Sequence, residues 1–392
     1  MNAPAVIVAG RRTAIGTAGR AFADATVDAL AAPVLADVAR AVAPAGIPVD
    51  DVVLGNCMGP GGDVARVSAL RAGLGADVPG VTVDRQCGSG LDAVMQAASR
   101  VRAGDARLVL AGGAESASTA PHRSWPGSGE RYARAPFAPD GFPDPDMGPA
   151  ADRLAAVLGI SRSRQDAWAA RSHARAAAAQ QAGVFAAEIV AIDGVLRDDR
   201  PRAAMDVARL ARFAPAFAGD AGTDAPPGTP FDAASGRGTV TAGNSCGFSD
   251  GAAAMAVTTE AVARELGLPA LLVRAAAVAA GDPALPGLGA APAARLALAR
   301  AGMAATDLGF VEITEAFAAQ VLAVSDELGL DEDLISGDGG AIALGHPWGA
   351  SGAVLLVRLA ARMAAADAAR PGLAACSIGG GQGVAMIVER VA

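Results

Sequence analysis

Two residues of this sequence stand in settings that suit covalent catalysis. Cys87 opens the motif Cys-Gly-Ser-Gly, after a strand-like run at residues 81–83 and before an apolar helical pattern. A cysteine at the start of a helix meets unpaired backbone N–H groups and the positive end of the helix dipole. These favour a thiolate and can bind an oxyanion. We therefore expect Cys87 to be a nucleophile with a lowered pKa rather than a small buried hydrophobic residue.

His346 is the second candidate. It lies in a glycine-rich turn before Pro347, where packing does not call for an imidazole, so a general base or an oxyanion donor fits better. The sequence has two other histidines. We expect His173, in a polar helical pattern, to be a solvated surface residue. The position of His122 stays open, since it could line the middle region of the chain.

Glycine-rich runs at residues 339–352 and 379–383 surround this histidine and follow Cys376. Glycine is used where backbone must approach a ligand closely or take a positive φ. Two such runs around a helical pattern are hard to explain by packing alone. They favour an enzyme whose backbone meets a reacting group.

Composition excludes several classes of function. The 392 residues carry a net charge of −8, which argues against nucleic acid or an anionic membrane as a partner. The sequence contains no lysine, which excludes Schiff-base chemistry and a phosphate-loop lysine. Four widely spaced cysteines form no Cys-x-x-Cys pair, so we expect neither a metal site nor disulfides. With no leader-like or membrane-spanning pattern, we expect a cytoplasmic protein.

Short apolar runs alternate with longer alanine-rich helical patterns, which indicates an α/β protein with a buried mixed sheet. Residues 121–237 differ in composition from the rest of the chain, which predicts an inserted loop domain. We divide the chain into an N-terminal half (1–120 with 238–268), this insert, and a C-terminal half (269–392). Residues 81–115 and 338–383 form a weak internal repeat, in which a turn is followed by a helix and a strand. Two similar halves that face each other would bring both turns to one site.

Seven motifs run along the chain in one order and cover nearly all of it. They are Cys-Gly-Ser-Gly at Cys87, Met147-Gly148, residues 238–244, residues 287–289, Thr-Glu-Ala-Phe-Ala from Thr314, Gly-His-Pro at His346, and Gly-Gly-Gly-Gln-Gly from Gly379. In this order they resemble the thiolase family, the acetyl-CoA acyltransferases. The resemblance implies the thiolase fold, with two similar α/β halves in stacked helix and sheet layers and an inserted loop domain.

The resemblance implies acyl transfer between CoA thioesters, by thiolytic cleavage of a 3-oxoacyl-CoA or by the reverse Claisen condensation. Cys87 would carry the acyl group. The backbone N–H groups of Cys87 and Gly379 would bind one oxyanion, while His346 would activate the nucleophile and help to bind the enolate. CoA is then a substrate, and no bound cofactor is implied. A second acid/base is needed at the α-carbon.

Two catalytic positions depart from the family pattern. Thr314 stands where an asparagine is usual, and a threonine hydroxyl can also orient a water. Ser377 stands at the usual acid/base cysteine, with Cys376 one residue earlier. Neighbouring strand residues face opposite ways, so a bulge or a one-residue shift would bring in Cys376, or Ser377 faces the site and slows or redirects carbon–carbon chemistry.

Two further alternatives stay open. The chain could be a catalytically impaired acyl-CoA-binding homologue. A ketosynthase-type decarboxylating condensation is disfavoured, because such sites commonly need two histidines and only His346 lies in a catalytic-looking motif.

For CoA the absence of lysine leaves arginines as phosphate partners, and Arg212 is our choice from the insert. Residues 218–237 look longer than the family spacing and could reshape the entrance. The resemblance also implies a homodimer or a homotetramer. The other positions expected near the acyl and pantetheine groups are Ala242, Cys246, Met147 and Phe317.

Overall fold

The computed structural model describes residues 4–217 and 238–391. The strands are β1 (Ala5–Arg12), β2 (Gly16–Thr17), β3 (Asp51–Gly55), β4 (Gly80–Val83), β5 (Leu108–Ser116), β6 (Arg123–Ser124), β7 (Arg131–Tyr132), β8 (Ser249–Thr259), β9 (Leu271–Ala280), β10 (Phe310–Ile313), β11 (Gly372–Ile378) and β12 (Gln382–Arg390). The helices are α1 (Val27–Val42), α2 (Val64–Arg71), α3 (Ser89–Ala103), α4 (Met147–Leu158), α5 (Arg162–Gln181), α6 (Val207–Leu210), α7 (Glu260–Leu266), α8 (Ala290–Ala301), α9 (Ala318–Leu328), α10 (Ala341–Leu344) and α11 (Trp348–Ala365).

One mixed sheet joins the two halves of the molecule. Its order is β10-β11-β12-β9-β1-β8-β5-β3-β4, with β2 paired to β8, while β6 and β7 form a separate hairpin. The halves meet where β1 and β9 pair antiparallel, with Val6 opposite Leu272 and Ile7 opposite Leu271. Each half also contains parallel pairs, β3 with β4 and β5, and β10 with β11. The predicted mixed α/β sheet is therefore confirmed.

Three apolar clusters separate the helices into layers. In β1, Ile7 faces the cluster formed with α3 and α11, and Val6 faces the cluster formed with α1 and α2. In β11, Cys376 faces the α3 and α11 layer, while Ala375 faces α8 and α9. Because strand side chains alternate between faces, each half of the sheet is buried on both sides. The result is the expected stack of helix and sheet layers.

Glycines bring the first turns of α3 and α11 into backbone contact. A Cβ at Gly90 would lie 2.8 Å from the carbonyl oxygen of Gly349 and 2.9 Å from the nitrogen of Ala353. A Cβ at Gly352 would collide with the backbone of Leu91. Any side chain here would push the helices apart. This contact places the segments that carry Cys87 and His346 against each other.

Helix α5, from the region predicted as an insert, packs on the segment that follows β10. Glu315 is buried and accepts hydrogen bonds from Trp168 Nε1 (3.0 Å) and Ser172 Oγ (2.7 Å). His173, on the same helix, is also buried, so the expectation of a solvated surface residue is wrong. Arg200 and Arg202 lie beside His173, and the polar sequence pattern does not reveal that other segments cover this face of the helix. His122 is exposed.

The division of the chain into three domains stays a prediction, and the predicted long stretch 218–237 lies outside the described residues. Within the part of the chain that is described, no helix is both long enough and apolar enough to cross a membrane.

Candidate active site

A tight turn presents Cys87 at the start of α3. Gln86, directly before it, has a φ of +46°, which strains a non-glycine residue. Ser89 holds this turn closed, because its Oγ donates to the Gln86 carbonyl (2.6 Å) and accepts from the Arg85 N–H (2.8 Å). The turn is a 3-10 helix over Gln86–Gly88 that leads directly into α3. Cys87 therefore lies at a helix start, as predicted.

The expected lowering of the Cys87 pKa is wrong for the free site. Burial raises the pKa of this thiol well above its ordinary value, and the neighbouring thiols Cys376 and Cys246 add to the effect. Its own backbone N–H acts in the opposite direction but does not overcome the loss of solvent. Cys87 is therefore a neutral thiol at rest and needs a base when it reacts.

His346 is buried in the turn between α10 and α11. Its Nδ1 lies 2.6 Å from Ser351 Oγ, and that hydroxyl donates to the Pro347 carbonyl (3.0 Å). The single hydroxyl proton is thus used, so Nδ1 carries the ring proton and Nε2 keeps a free lone pair. Nε2 is buried without a hydrogen-bond partner among the described residues. Burial lowers the His346 pKa to about 4, which keeps the ring neutral.

The backbone of His346 also ties this turn to the Cys246 segment. Its N–H lies 3.3 Å from the Gly247 carbonyl and 3.2 Å from Ser249 Oγ. Since the Cys246 thiol is close enough to raise the Cys87 pKa, this segment links the two candidate catalytic residues.

Cys376 faces the same site from the end of β11. Its Sγ lies 3.2 Å from the Oγ1 of Thr314, and both side chains are buried. Burial raises the Cys376 pKa to about 12, and the Thr314 hydrogen bond partly offsets the rise. Cys376 contributes to the raised pKa of Cys87, which places the two thiols near each other.

Ser377 points the other way, toward the layer of α8 and α9. Its Oγ donates to the Gly287 carbonyl (2.7 Å) and accepts from the Ala290 N–H (3.1 Å). The register of β11 against β12 is continuous from Gly372 to Ile378. No bulge is needed there to turn Cys376 inward, because ordinary alternation already does so. Ser377 thus fixes the segment that holds Gly287 and does not face the catalytic groups.

Phe137 packs on the glycine turn that follows β11. Its ring occupies the space where a Cβ on Gly379 would lie, 2.5 Å from Cε2, and Gly380 and Gly381 both have positive φ. Arg134 lies 4.6 Å from the Phe137 ring and also pairs with Asp144. Phe137, from the region predicted as an insert, therefore covers the backbone of Gly379, which the family resemblance assigns to an oxyanion pocket.

Glu115 is a buried carboxylate at the end of β5 that sequence analysis missed. Its oxygens accept from Asn56 Nδ2 (2.8 Å) and from three backbone N–H groups, those of Cys57 (3.1 Å), Met58 (3.1 Å) and Gly349 (3.0 Å). Despite these donors, burial raises its pKa. Glu115 thereby clamps the first turn of α11 beside His346. The available signal was an acidic residue two positions after the buried run that ends in Gly-Gly.

The residues expected to bind CoA are less closely grouped. Arg212 and Ala242 are exposed, whereas Met147, at the first turn of α4, and Phe317, just before α9, are half-buried. Cys246 donates its N–H to the Ala316 carbonyl (3.0 Å).

Arg200 is a neighbour of this region that sequence analysis missed. Its guanidinium occupies the space where a Cβ on Gly247 would lie. Burial raises the Cys246 pKa to about 12, and Arg200 acts against that rise. In residues 4–217 and 238–391 no three His, Cys, Asp or Glu side chains are grouped so that they could hold a metal ion.

Comparison with known proteins places this site in a family. The family models described as thiolase N-terminal domain and thiolase C-terminal domain match residues 5–261 and 269–390. The chain is 40% identical to an acetyl-CoA acetyltransferase of Pseudomonas aeruginosa, over 98% of this chain and 99% of the relative. It is 42% identical to a 3-ketoacyl-CoA thiolase of Escherichia coli O1:K1 / APEC, with the same coverage. The crystal structure of the Bacillus anthracis acetyl-CoA acetyltransferase superposes with a TM-score of 0.86 at 34% identity, covering 100% of this chain and 99% of that one. The chain belongs to the thiolase family.

Proposed function

We propose that this protein transfers acyl groups between CoA thioesters, cleaving 3-oxoacyl-CoA with CoA or running the reverse Claisen condensation. The observation that carries the proposal is that the half-buried thiol of Cys87 lies near the buried thiol of Cys376, and that the turn holding His346, whose Nε2 is free, leads into a helix packed on the start of α3. Similarity to acetyl-CoA acetyltransferases and a 3-ketoacyl-CoA thiolase supports it. The impaired-homologue alternative has no support, because Cys376 faces the site.

In the first step His346 acts as the base for Cys87. Nε2 takes the thiol proton as Sγ attacks the 3-keto carbon of the substrate. The protonated ring keeps its Nδ1–H on Ser351, which holds the ring in place. Both partners are neutral beforehand, so proton transfer accompanies attack rather than preceding it. The tetrahedral oxyanion is bound by the backbone N–H groups of Cys87 and Gly379.

In the second step the bond between C2 and C3 breaks, and its electron pair forms the enolate of acetyl-CoA. Cys376 donates its thiol proton to C2, while the His346 ring, protonated in the first step, donates a hydrogen bond to the enolate oxygen. The Thr314 hydroxyl, 3.2 Å from Cys376 Sγ, stabilises the thiolate that remains.

In the third step a CoA thiol attacks the acyl-Cys87 thioester and releases the shortened acyl-CoA. The proton of the attacking CoA thiol passes to the thiolate left on Cys376. As Cys87 leaves, it recovers its own proton from the His346 ring, so the site ends in its starting state. The condensation runs these steps backwards.

CoA is a substrate in this proposal, and no bound cofactor takes part. Arg212 on the exposed surface and Arg200 beside Cys246 are the proposed phosphate and pantetheine neighbours, together with Ala242, Met147 and Phe317. We further propose a cytoplasmic role in fatty acid metabolism.

We also propose a homodimer or homotetramer. Support comes from β4, which pairs only with β3 among the described strands. Beside this edge, Val67, Leu70 and Val81 are exposed apolar side chains. Such an edge is open to pairing with a second chain.

The test is the cleavage of acetoacetyl-CoA by CoA, measured as loss of the 3-oxoacyl thioester. We expect turnover by the unaltered chain, and Cys87→Ala should abolish it while leaving the melting temperature near that of the unaltered protein. His346→Ala should reduce the rate at least about 100-fold. Lack of cleavage and of the reverse condensation by folded, unaltered protein would overturn the proposal.

A further inference from the structure

Four arginines converge on a groove at the far end of α3 from Cys87. The groove has a volume of about 660 Å³ and lies between α3, β9 and α8. Arg100 and Arg102 come from the last turn of α3, Arg274 from β9, and Arg300 from the last turn of α8. Since α3 has 15 residues, the groove lies roughly 20 Å along the helix from the nucleophile.

The positive charge of this groove is only partly balanced. Arg100 pairs with Asp51, whereas Arg102, Arg274 and Arg300 form no ion pair within residues 4–217 and 238–391. Two of them contact backbone instead: Arg102 donates to the Val273 carbonyl, and Arg300 donates to the Ala276 carbonyl (2.6 Å). Arg102 is half-buried, and burial lowers its pKa. The charged form of a half-buried arginine is stabilised by an anion beside it.

Helix ends explain part of this arrangement but not all of it. Cations are favoured in the last turn of a helix, which suits Arg100, Arg102 and Arg300 taken one at a time. That effect does not require three separate elements to direct their arginines into one groove, and Arg274 is on a strand. The net charge of the chain is −8. A groove lined, among the described residues, by four arginines and no acidic residue therefore does not reflect a general excess of positive charge in the chain. Gln96 and Ser99 add neutral hydrogen-bonding groups to the same lining.

We propose that this groove is a second binding site, distinct from the acyl-transfer site, for a phosphate-class anion with more than one charge. Guanidinium groups match phosphate oxygens in pairs, and four of them from three elements can surround a diphosphate from several sides. Because the ligand would touch α3, β9 and α8 together, it would also stabilise the contact between the two halves of the molecule.

Titration calorimetry with inorganic pyrophosphate tests the proposal. The full-length protein is first saturated with CoA, so that phosphate contacts at the acyl-transfer site are already occupied. We expect one equivalent of pyrophosphate to bind under these conditions. The double variant Arg102→Gln/Arg274→Gln should bind at least about tenfold more weakly, and the exposed single variant Arg274→Gln should show a smaller loss in the same direction.

A matched control removes two charges elsewhere. Arg20→Gln/Arg264→Gln changes two exposed arginines outside the groove lining and should leave pyrophosphate affinity unchanged. Melting temperatures establish that each variant is folded, and Arg274→Gln serves if the double variant is not. The proposal would be overturned if pyrophosphate does not bind, or if the groove variants bind it as tightly as the unaltered protein does. Binding that is abolished by CoA would also overturn it. Failure of the acyl-transfer assay would not affect this test, which does not depend on turnover.

Discussion

Thr314 and Cys376 stand side by side at the ends of the neighbouring parallel strands β10 and β11, with Oγ1 3.2 Å from Sγ. The pairing continues the register in which Ile313 lies opposite Ala375. This register decides whether Cys376 or Ser377 faces the catalytic layer. Ser377 is on the other face and bonds to Gly287. Thr314, which stands where the family has an asparagine, thus contacts a cysteine that lies one residue before the usual family position.

This contact predicts unequal effects at positions 376 and 377. Cys376→Ala should reduce carbon–carbon cleavage at least about 100-fold, because it removes the proposed acid/base at the α-carbon. Ser377→Ala should retain most of the rate, although it should lower the free energy of unfolding by about 1 kcal/mol through loss of its partly buried hydrogen bonds.

Steady-state cleavage of acetoacetyl-CoA measures both rates, and urea unfolding measures the stabilities. Ser377→Cys supplies a third comparison and should not raise the rate, since its thiol would face α8 and α9. A faster Ser377→Cys enzyme, or an active Cys376→Ala enzyme, would contradict the assignment.

Ser351 should act through His346. Ser351→Ala removes the partner of Nδ1, and we expect kcat to fall about 10- to 100-fold while KM changes little, because the bond matters most when the ring is protonated. Ser325→Ala, which alters another buried hydroxyl on α9, is the matched control and should leave kcat unchanged. Equal losses in the two variants would indicate a general structural effect instead.

The raised pKa of Cys87 predicts slow alkylation at neutral pH. Iodoacetamide reacts with the thiolate, so the rate at Cys87 should keep rising with pH above 9, where an ordinary cysteine levels off. Peptide mass spectrometry separates the reaction at Cys87 from reaction at the other three cysteines. A plateau reached below pH 8 would show that the helix start lowers the pKa after all.

Two buried histidines predict a loss of stability in acid. Burial, with Arg200 and Arg202 nearby, lowers the His173 pKa to about 4, and burial lowers that of His346 to about 4. Between pH 6.5 and 4 the unfolded chain binds protons that the folded chain does not, so stability falls as the pH falls. We expect each histidine to contribute a loss of about 2 kcal/mol between pH 7 and 5.

Urea unfolding at pH 7 and pH 5 measures this loss. His173→Gln should remove about half of the histidine-dependent difference, and His122→Gln, at an exposed position, should remove none. The same pH dependence in His173→Gln as in the unaltered protein would exclude His173 as a source.

The sequence allowed the fold and the two central catalytic candidates to be predicted, because both depend on local signals. The apolar run before Cys87 and the glycines after it define a strand, a turn and a helix start by themselves. The orientation of Cys376 was not predictable in this way. It depends on strand register against β10 and β12, and a motif aligned on the following glycines places Ser377 there instead.

The surroundings of a side chain were harder to predict than the helix, strand or turn on which it lies. The pKa of Cys87 and the burial of His173 both depend on layers contributed by distant segments of the chain. Glu115 was missed for a related reason: its four hydrogen-bond donors come from the segment after β3 and from the start of α11. Only the assembled sheet brings those segments to the end of β5.

Identification of the acylated residue tests the central claim most directly. The protein is mixed with acetyl-CoA, quenched in acid and examined by peptide mass spectrometry. We predict one acetyl group on the peptide that contains Cys87 and none in Cys87→Ala. In Cys376→Ala the adduct should form more slowly, because acetylation reverses the third step and Cys376 then gives its proton to the departing CoA thiolate. An acetyl group on another residue, or no adduct from folded protein that binds acetyl-CoA, would contradict the proposed mechanism.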